Sequence, residues 1–296
     1  MILFLNIFAP YIQLIRIHNW VKNILIFLPI LSSHNFSYGY LQNTIFIFFV
    51  FSISASSMYI INDYFDYNKD LLNKAKKKRP IASGKISKNT ALIFFLILQL
   101  IVITISILND QSILLIYLFA YNLIVLFYTL VIKNLKYLDV TTLASLFLYR
   151  VFLGAAFNNL DLSIWIINFV FFLFLGLGFL KRFSELNSVY VDKKNFHMIR
   201  PYGDQDKEKL SWIIILCFSI STILLINYFA LEKLSILYEH KTFLYLIPPI
   251  FFIYCLLLYE KMISNQFVED PINFCIKQKS SWIFLTISFV IFFLSM

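Results

Sequence analysis

About nine apolar stretches, each roughly long enough to cross a bilayer as a helix, dominate this 296-residue chain. They run approximately over 14–33, 43–61, 89–109, 112–132, 139–157, 163–181, 210–230, 242–260 and 280–296. Inside lipid a backbone must satisfy its own N–H and C=O groups, so segments of this kind fold as helices. The composition agrees: 60% of residues are hydrophobic and 14% charged, against about a quarter charged in soluble domains. The expectation is an all-α, multi-pass membrane protein whose residues 1–296 form one integral membrane domain. Residues 1–15 are apolar but lack a basic start and a small-residue cleavage site. They read as an amphipathic lead-in along the bilayer surface rather than a cleaved signal.

The net charge of +9 is a topology signal and not a nucleic-acid signal. With an interior N-terminus, the inside loops are 62–88, 133–138, 182–209 and 261–279, and they hold nearly all the Lys and Arg. The opposite loops hold Lys233 and Lys241. This asymmetry follows the positive-inside rule and turns the polar loops to the cytoplasm, as in the inner membrane of a bacterium. A transporter would instead need ionisable groups near the bilayer midplane and broken helices. Cys217, Cys255 and Cys275 have no metal-ligand spacing and read as reduced structural thiols.

The strongest local pattern is Asn62-Asp63-x-x-Asp66-x-x-x-Asp70 at the end of the second stretch. Steps of three and four put these residues on one helix face. Like charges so placed repel by roughly 0.2–0.5 kcal/mol per pair, and a hard divalent cation reverses the sign, since carboxylate and amide oxygens suit Mg²⁺. The bland alternative is a solvated helix end whose acids pair with Lys69 and the following lysines. Downstream, Lys74 to Arg79 form a basic arm. Lys74, Lys77 and Lys78 fit anionic headgroups as well as a ligand, whereas Lys76 and Arg79 are the better ligand candidates. An acidic metal-holding face beside a basic arm is what a diphosphate requires.

Further candidates lie on the same side. Tyr128, Lys133 and Asp139 flank the second inside loop, either as a phosphate subsite or as an ordinary basic turn. Arg150 falls well inside the fifth stretch, where an arginine costs about 2.5–3.5 kcal/mol on insertion scales. It must face a polar cavity, paired with an acid or an anionic ligand. Lys181, Arg182 and Glu185 end the sixth stretch, and either pair locally or hold phosphates. Near the N-terminus Arg16, His18, Trp20, Lys22 and Asn23 run into the first stretch. Trp20 suits an interfacial anchor, and Lys22 and Asn23 either snorkel or bind phosphate.

These residues together resemble the UbiA superfamily of intramembrane prenyltransferases, and more closely its decaprenyl-phosphate phosphoribosyltransferase branch. The acid motif through Lys76 and Arg79-Pro80 to Ile81-Ala82-Ser83-Gly84 carries the first part of the likeness. Arg16, Trp20, Lys22 and Asn23 carry the second. Tyr128, Lys133 and Leu138-Asp139-Val140, then Leu148, Arg150 and Gly154, then Lys181, Arg182, Glu185 and Leu186 complete it. Leu71, Asn73 and Lys74 depart from the branch pattern, as do Ile17 and Asn19.

The resemblance implies a bundle of about nine helices around a lipid-accessible central cavity. It implies Mg²⁺ held by Asn62, Asp63, Asp66 and Asp70, with Asp63, Asp66 and Asp70 as the catalytic acids. It further implies phosphate and substrate contacts from Lys22, Asn23, Lys76, Arg79, Tyr128, Lys133, Asp139, Arg150, Lys181, Arg182 and Glu185. The expected reaction moves 5-phosphoribose from phosphoribosyl diphosphate to a polyprenyl phosphate and releases pyrophosphate. Membrane lipids are the surroundings, nucleic acid is not a partner, and homo-oligomers enter by analogy alone. A polyprenyl diphosphate alkylating an aromatic acceptor such as 4-hydroxybenzoate is the alternative enzyme, and a lipid-phosphate binder or flippase the alternative without catalysis.

Overall fold

The computed structural model describes residues 2–73, 76–191, 201–232, 238–264 and 270–296, except the side chains of 2–7 and 188–191. Lys74 of the basic arm and Lys233 of the opposite loops lie outside these residues. The protein is an all-α, multi-pass membrane protein. Among the described residues there is no strand, and eight helical stretches are long and apolar enough to cross a membrane. They become nine if Pro271–Lys277 and Lys279–Ser295, bent by 78° against each other, form one span. The helices are α1 Ile2–Ile15, α2 Leu28–Ser33, α3 Tyr38–Phe65, α4 Tyr67–Leu72, α5 Lys88–Leu108 and α6 Ser112–Leu130. They continue as α7 Leu138–Asn158, α8 Ile164–Val191, α9 Lys207–Leu231, α10 Ile247–Ser264, α11 Pro271–Lys277 and α12 Lys279–Ser295. The described residues fall into two compact units: those of 2–139 with Tyr149–Asp161, and those of Val140–Leu148 with 162–191 and 201–296.

In the first unit α3 is the central element, and the run Ser52-Ile-Ser-Ala-Ser-Ser57 explains why. Small hydroxyl side chains let neighbouring helices approach and give them hydrogen-bond partners in a lipid setting. Ser54 donates to Asn122 Oδ1 on α6 at 3.1 Å, and Gln99 on α5 donates to Ser57 Oγ at 2.6 Å. The outward faces of α5 and α6 are apolar and exposed, as with Leu96, Leu100, Ile116 and Phe119, which suits lipid.

The first span is not a regular α-helix. Residues Ile17–Phe27 form a 3₁₀ segment that continues into α2. Eleven residues is long for this conformation, since runs beyond three or four are uncommon. Packing supplies the reason. Trp20 donates to Ser56 Oγ at 2.9 Å, Asn23 donates to Ser52 Oγ at 2.9 Å, and Ile26 backs onto Gly154 of α7. These residues recur every three positions, which a helix of about three residues per turn keeps on one edge.

The loop between α4 and α5 folds back on itself. Ser83 N–H donates to the Arg79 carbonyl at 2.8 Å and Ile86 N–H to that of Pro80 at 3.1 Å. Gly84 turns the chain at φ 75°, a conformation open to glycine at no steric cost. Ile81 and Ile86 pack with Leu14, Ile60 and Ala91, so the basic arm is anchored by buried apolar side chains. Ser87 caps α5 by accepting the Thr90 N–H at 3.1 Å. Ser87→Ala should lower stability by about 1 kcal/mol, read from thermal unfolding in detergent; no change would mean that water replaces the cap.

The second unit centres on α8 and α9. Gly176 sits against Phe218 and Cys217, and Gly178 against Val140. Phe147 and Phe174 stack with centroids 4.1 Å apart, as do Tyr254 and Phe284 at 4.7 Å. Cys217 and Cys255 are buried free thiols, and Cys275 is a partly buried one.

Candidate active site

The acid motif does not ride on one unbroken helix. α3 ends at Phe65, Asp66 takes φ −84° and ψ 2°, and α4 starts at Tyr67. The Asp70 N–H still reaches the Asp66 carbonyl at 2.8 Å, so the helical phase survives the break. Asp63 and Asp70 are nearly fully buried, at 1% and 2% exposure, while Asp66 lies more open. A buried carboxylate must be paired, and all three acids are.

Arg79 Nη1 donates to Asp63 Oδ1 at 2.8 Å and to Asp70 Oδ2 at 2.7 Å, bridging the two carboxylates. Arg16 Nη2 lies 2.5 Å from Asp63 Oδ1 and 2.7 Å from Oδ2. Lys133 Nζ donates to Asp66 Oδ1 at 2.5 Å. Thr129 donates to Asn62 Oδ1 at 3.4 Å, which brings the amide to the same rim. The alternative pairing with Lys69 is not what forms: Lys69 reaches Asn134 at 3.5 Å instead. Burial pushes the Asp70 carboxyl above the usual carboxylate range; Arg79 beside it pulls it down, and Asp63 pushes it up again.

Arg16 is a residue that sequence spacing missed as a site member. It takes a left-handed conformation, φ 51°, between α1 and the 3₁₀ segment, with its guanidinium 5.2 Å from the Tyr59 ring centre. Such a conformation is uncommon for a residue other than glycine. The available signal was its place at the head of the Arg16–Asn23 motif.

Near Lys133 the chain is strained. Tyr137 has φ 65° and ψ −40°, and the Leu138 N–H reaches the Lys136 carbonyl at 2.8 Å. That is close to the rare γ-turn, and strain of this kind gathers at functional sites. Tyr128, Lys133 and Asp139 are all buried around it. Lys76 and Lys22 are half-buried in the same unit. Lys76 donates its backbone N–H to Asn73 Oδ1 at 3.1 Å, and its charge opposes the upward push of burial on Asp70.

A second polar centre lies deeper. Arg150, 4% exposed, donates to Asn23 Oδ1 at 2.9 Å and to the Tyr121 hydroxyl at 3.2 Å, and sits 5.3 Å from the Phe51 ring centre. Phe51 and Asp63 are twelve residues apart on α3, or about 18 Å at the helical rise. Arg150 and Arg79 so placed do not meet on one phosphate.

Lys181, Arg182 and Glu185 belong to the second unit. Arg182 pairs with Glu185 at 2.8 Å, the local one of the two alternatives, whereas Lys181 reaches Asp270 at 3.4 Å. Between them Ser184 is 1% exposed, and its hydroxyl finds no hydrogen-bond partner among the described residues. No sequence signal singles out that serine.

Among the described residues no group of three or more His, Cys, Asp or Glu stands ready to enclose a metal ion. The donor chemistry nevertheless fits Mg²⁺, which needs only one or two carboxylates and completes its shell with waters and substrate phosphates. Asp63 and Asp70 already share one cationic atom, Arg79 Nη1. A divalent ion would compete for those two carboxylates.

The fold and this rim define a multi-pass membrane protein with a cluster of buried acids paired to arginine and lysine. The family model for the UbiA prenyltransferase family matches residues 25–262, and the chain belongs to that family. An uncharacterized protein, y4nM of Sinorhizobium fredii, is 29% identical over 90% of this chain and 52% of its own length. The decaprenyl-phosphate phosphoribosyltransferase of Mycobacterium tuberculosis is 28% identical over 62% of this chain and 62% of its own. The chain thus spans between about half and three-fifths of these relatives. A solved UbiA homolog from Archaeoglobus fulgidus, bound to GPP and Mg²⁺, superposes with a TM-score of 0.65. It is 17% identical, and the match covers 95% of this chain and 99% of that one.

Proposed function

We propose that the protein transfers 5-phosphoribose from phosphoribosyl diphosphate to a polyprenyl phosphate, releasing pyrophosphate at the cytoplasmic face of a bacterial inner membrane. The observation that carries this reading is the pairing of Asp66 with Lys133. Prenyltransferases that ionise a lipid diphosphate hold it with a second acid-rich motif. Here the segment after α6 offers the buried cation Lys133 and the lone acid Asp139, and a cation there suits a substrate phosphate. The likeness to a decaprenyl-phosphate phosphoribosyltransferase supports the same choice.

In the reaction, the bond from C1 of ribose to the diphosphate oxygen breaks, and C1 bonds to an oxygen of the lipid phosphate. That phosphate is already an anion at neutral pH, so placement matters more than a base. Bound at Asp63, Asp70 and the neighbouring Asn62 and Asp66, Mg²⁺ would supply charge neutralisation for the leaving group. Arg79 and Arg16 stand beside these acids and are placed to hold phosphate oxygens through charge-assisted hydrogen bonds. Lys133 is placed to orient a second phosphate from the α6–α7 side.

Purified protein in detergent tests this. Phosphoribosyl diphosphate with polyprenyl phosphate should yield pyrophosphate and an acid-labile lipid-linked sugar phosphate, and EDTA should lower the rate at least about a hundredfold. Prenylated 4-hydroxybenzoate from a polyprenyl diphosphate would sink the proposal in favour of aromatic prenyl transfer. Saturable lipid-phosphate binding with turnover of neither pair would leave a binder or flippase.

A further inference from the structure

Three cations and three carboxylates meet at the rim: Arg16, Arg79 and Lys133 against Asp63, Asp66 and Asp70. Within these ion pairs the formal charges cancel, with Lys76 near enough to act on Asp70 as well. Acids and cations paired off in this way draw in neither a bare dication nor a bare diphosphate with much force. Each alone must break existing ion pairs, and leaves charges behind without partners. Arriving together they replace every pair, the dication meeting carboxylate and the guanidinium meeting phosphate.

The two layers of the cluster differ in freedom. Asp63 and Asp70 are walls, with side chains 1% and 2% exposed, whereas the Arg16 and Arg79 side chains are 17% and 23% exposed. The two guanidiniums therefore form the outer layer, the one that can move, whereas at the third pair Lys133 lies deeper than Asp66, 7% against 15% exposed. Arg16 also has a resting surface, since its guanidinium already lies near the Tyr59 ring, where a cation is attracted to the aromatic face.

Resting on the reading of this rim as a diphosphate site, we propose that Arg16 and Arg79 are exchangeable counter-ions. They neutralise the acids until a divalent cation takes their place, then pass to the phosphates of the incoming diphosphate. Metal and diphosphate thereby bind with positive coupling, each raising the affinity of the other by the same factor. The ion-paired arrangement is the closed half of that exchange.

The signature is a substitution that improves one ligand and harms the other. Mn²⁺ serves as the metal probe, read as free ion by electron paramagnetic resonance against full-length protein in detergent. Radiolabelled pyrophosphate retained by the protein at saturating Mn²⁺ is the second readout. Arg16→Gln removes a competitor for Asp63 and a donor to phosphate. It should tighten Mn²⁺ binding about tenfold in the absence of phosphate, and weaken pyrophosphate retention about tenfold. Arg16→Lys keeps a cation and should stay near the parent value for Mn²⁺.

Unchanged or weaker Mn²⁺ binding by Arg16→Gln would overturn the proposal, as would absence of Mn²⁺ binding in the parent and variants alike. If Arg16→Gln does not yield folded protein, Arg79→Gln decides by the same signs. Neither probe contains ribose or lipid. Failure of the substrate assay therefore leaves this result standing, and failure here leaves that assay standing.

Discussion

Asp63→Asn should cut turnover by roughly a hundred- to a thousandfold, the cost of losing a single preorganised charge contact in comparable sites, because under the proposed function it takes a carboxylate donor from the divalent ion. It also breaks the ion pairs that Arg16 and Arg79 make with Asp63. Stability should fall as well. Breaking a buried ion pair costs about 3–5 kcal/mol. Arg16 and Arg79 keep partial solvent contact and Arg79 keeps Asp70, so about 2–3 kcal/mol is expected after that discount. Asp66→Asn, whose acid has a more open side chain, should cost less in stability. Rates from the lipid-linked sugar assay, set beside thermal transitions in detergent, check both halves. Near-parental turnover of Asp63→Asn would mean that the acid cluster is a structural rim.

Gly154→Ala should be the most damaging small change away from the acids. A methyl group there would occupy the space of the Ile26 carbonyl, and backbone cannot rotate aside as a side chain can. The 3₁₀ segment and α7 would have to part. Overpacking of this kind costs about 1–3 kcal/mol, occasionally more, and a clash with main chain belongs at the upper end. The damage should spread to function, because the same segment carries Asn23 to Arg150 and Arg16 to Asp63. Reduced membrane accumulation and a lowered thermal midpoint would report it. Gly39→Ala is the control, since nothing lies within 4 Å of the added methyl; equal losses at both positions would show that the close approach at Gly154 does not matter.

The spans were legible in the sequence because lipid leaves a backbone one option, and most of the apolar runs coincide with helices to within a few residues, although α8 continues ten residues past the expected end at 181. The acid motif was legible for a similar local reason: spacing by three and four places neighbours on one face. What spacing did not carry is the break at Asp66, where α3 ends and α4 begins while the shared phase persists. The bland alternative, pairing of the acids with Lys69, loses to partners distant in sequence. Conversion of the first span to a 3₁₀ helix was hidden because Trp20, Asn23 and Ile26 mean something at period three only once Ser56, Ser52 and Gly154 are opposite them.

From the residues alone came the all-helical, multi-pass character of the chain, the segments that form its spans, and the grouping of Asp63, Asp66 and Asp70, all consequences of solvation and local periodicity. Which cation meets which acid was decided by tertiary structure, because the pairs join residues 47 and 67 positions apart, Arg16 with Asp63 and Lys133 with Asp66. Buried carboxylates accept whichever donors the packing of distant segments delivers to them.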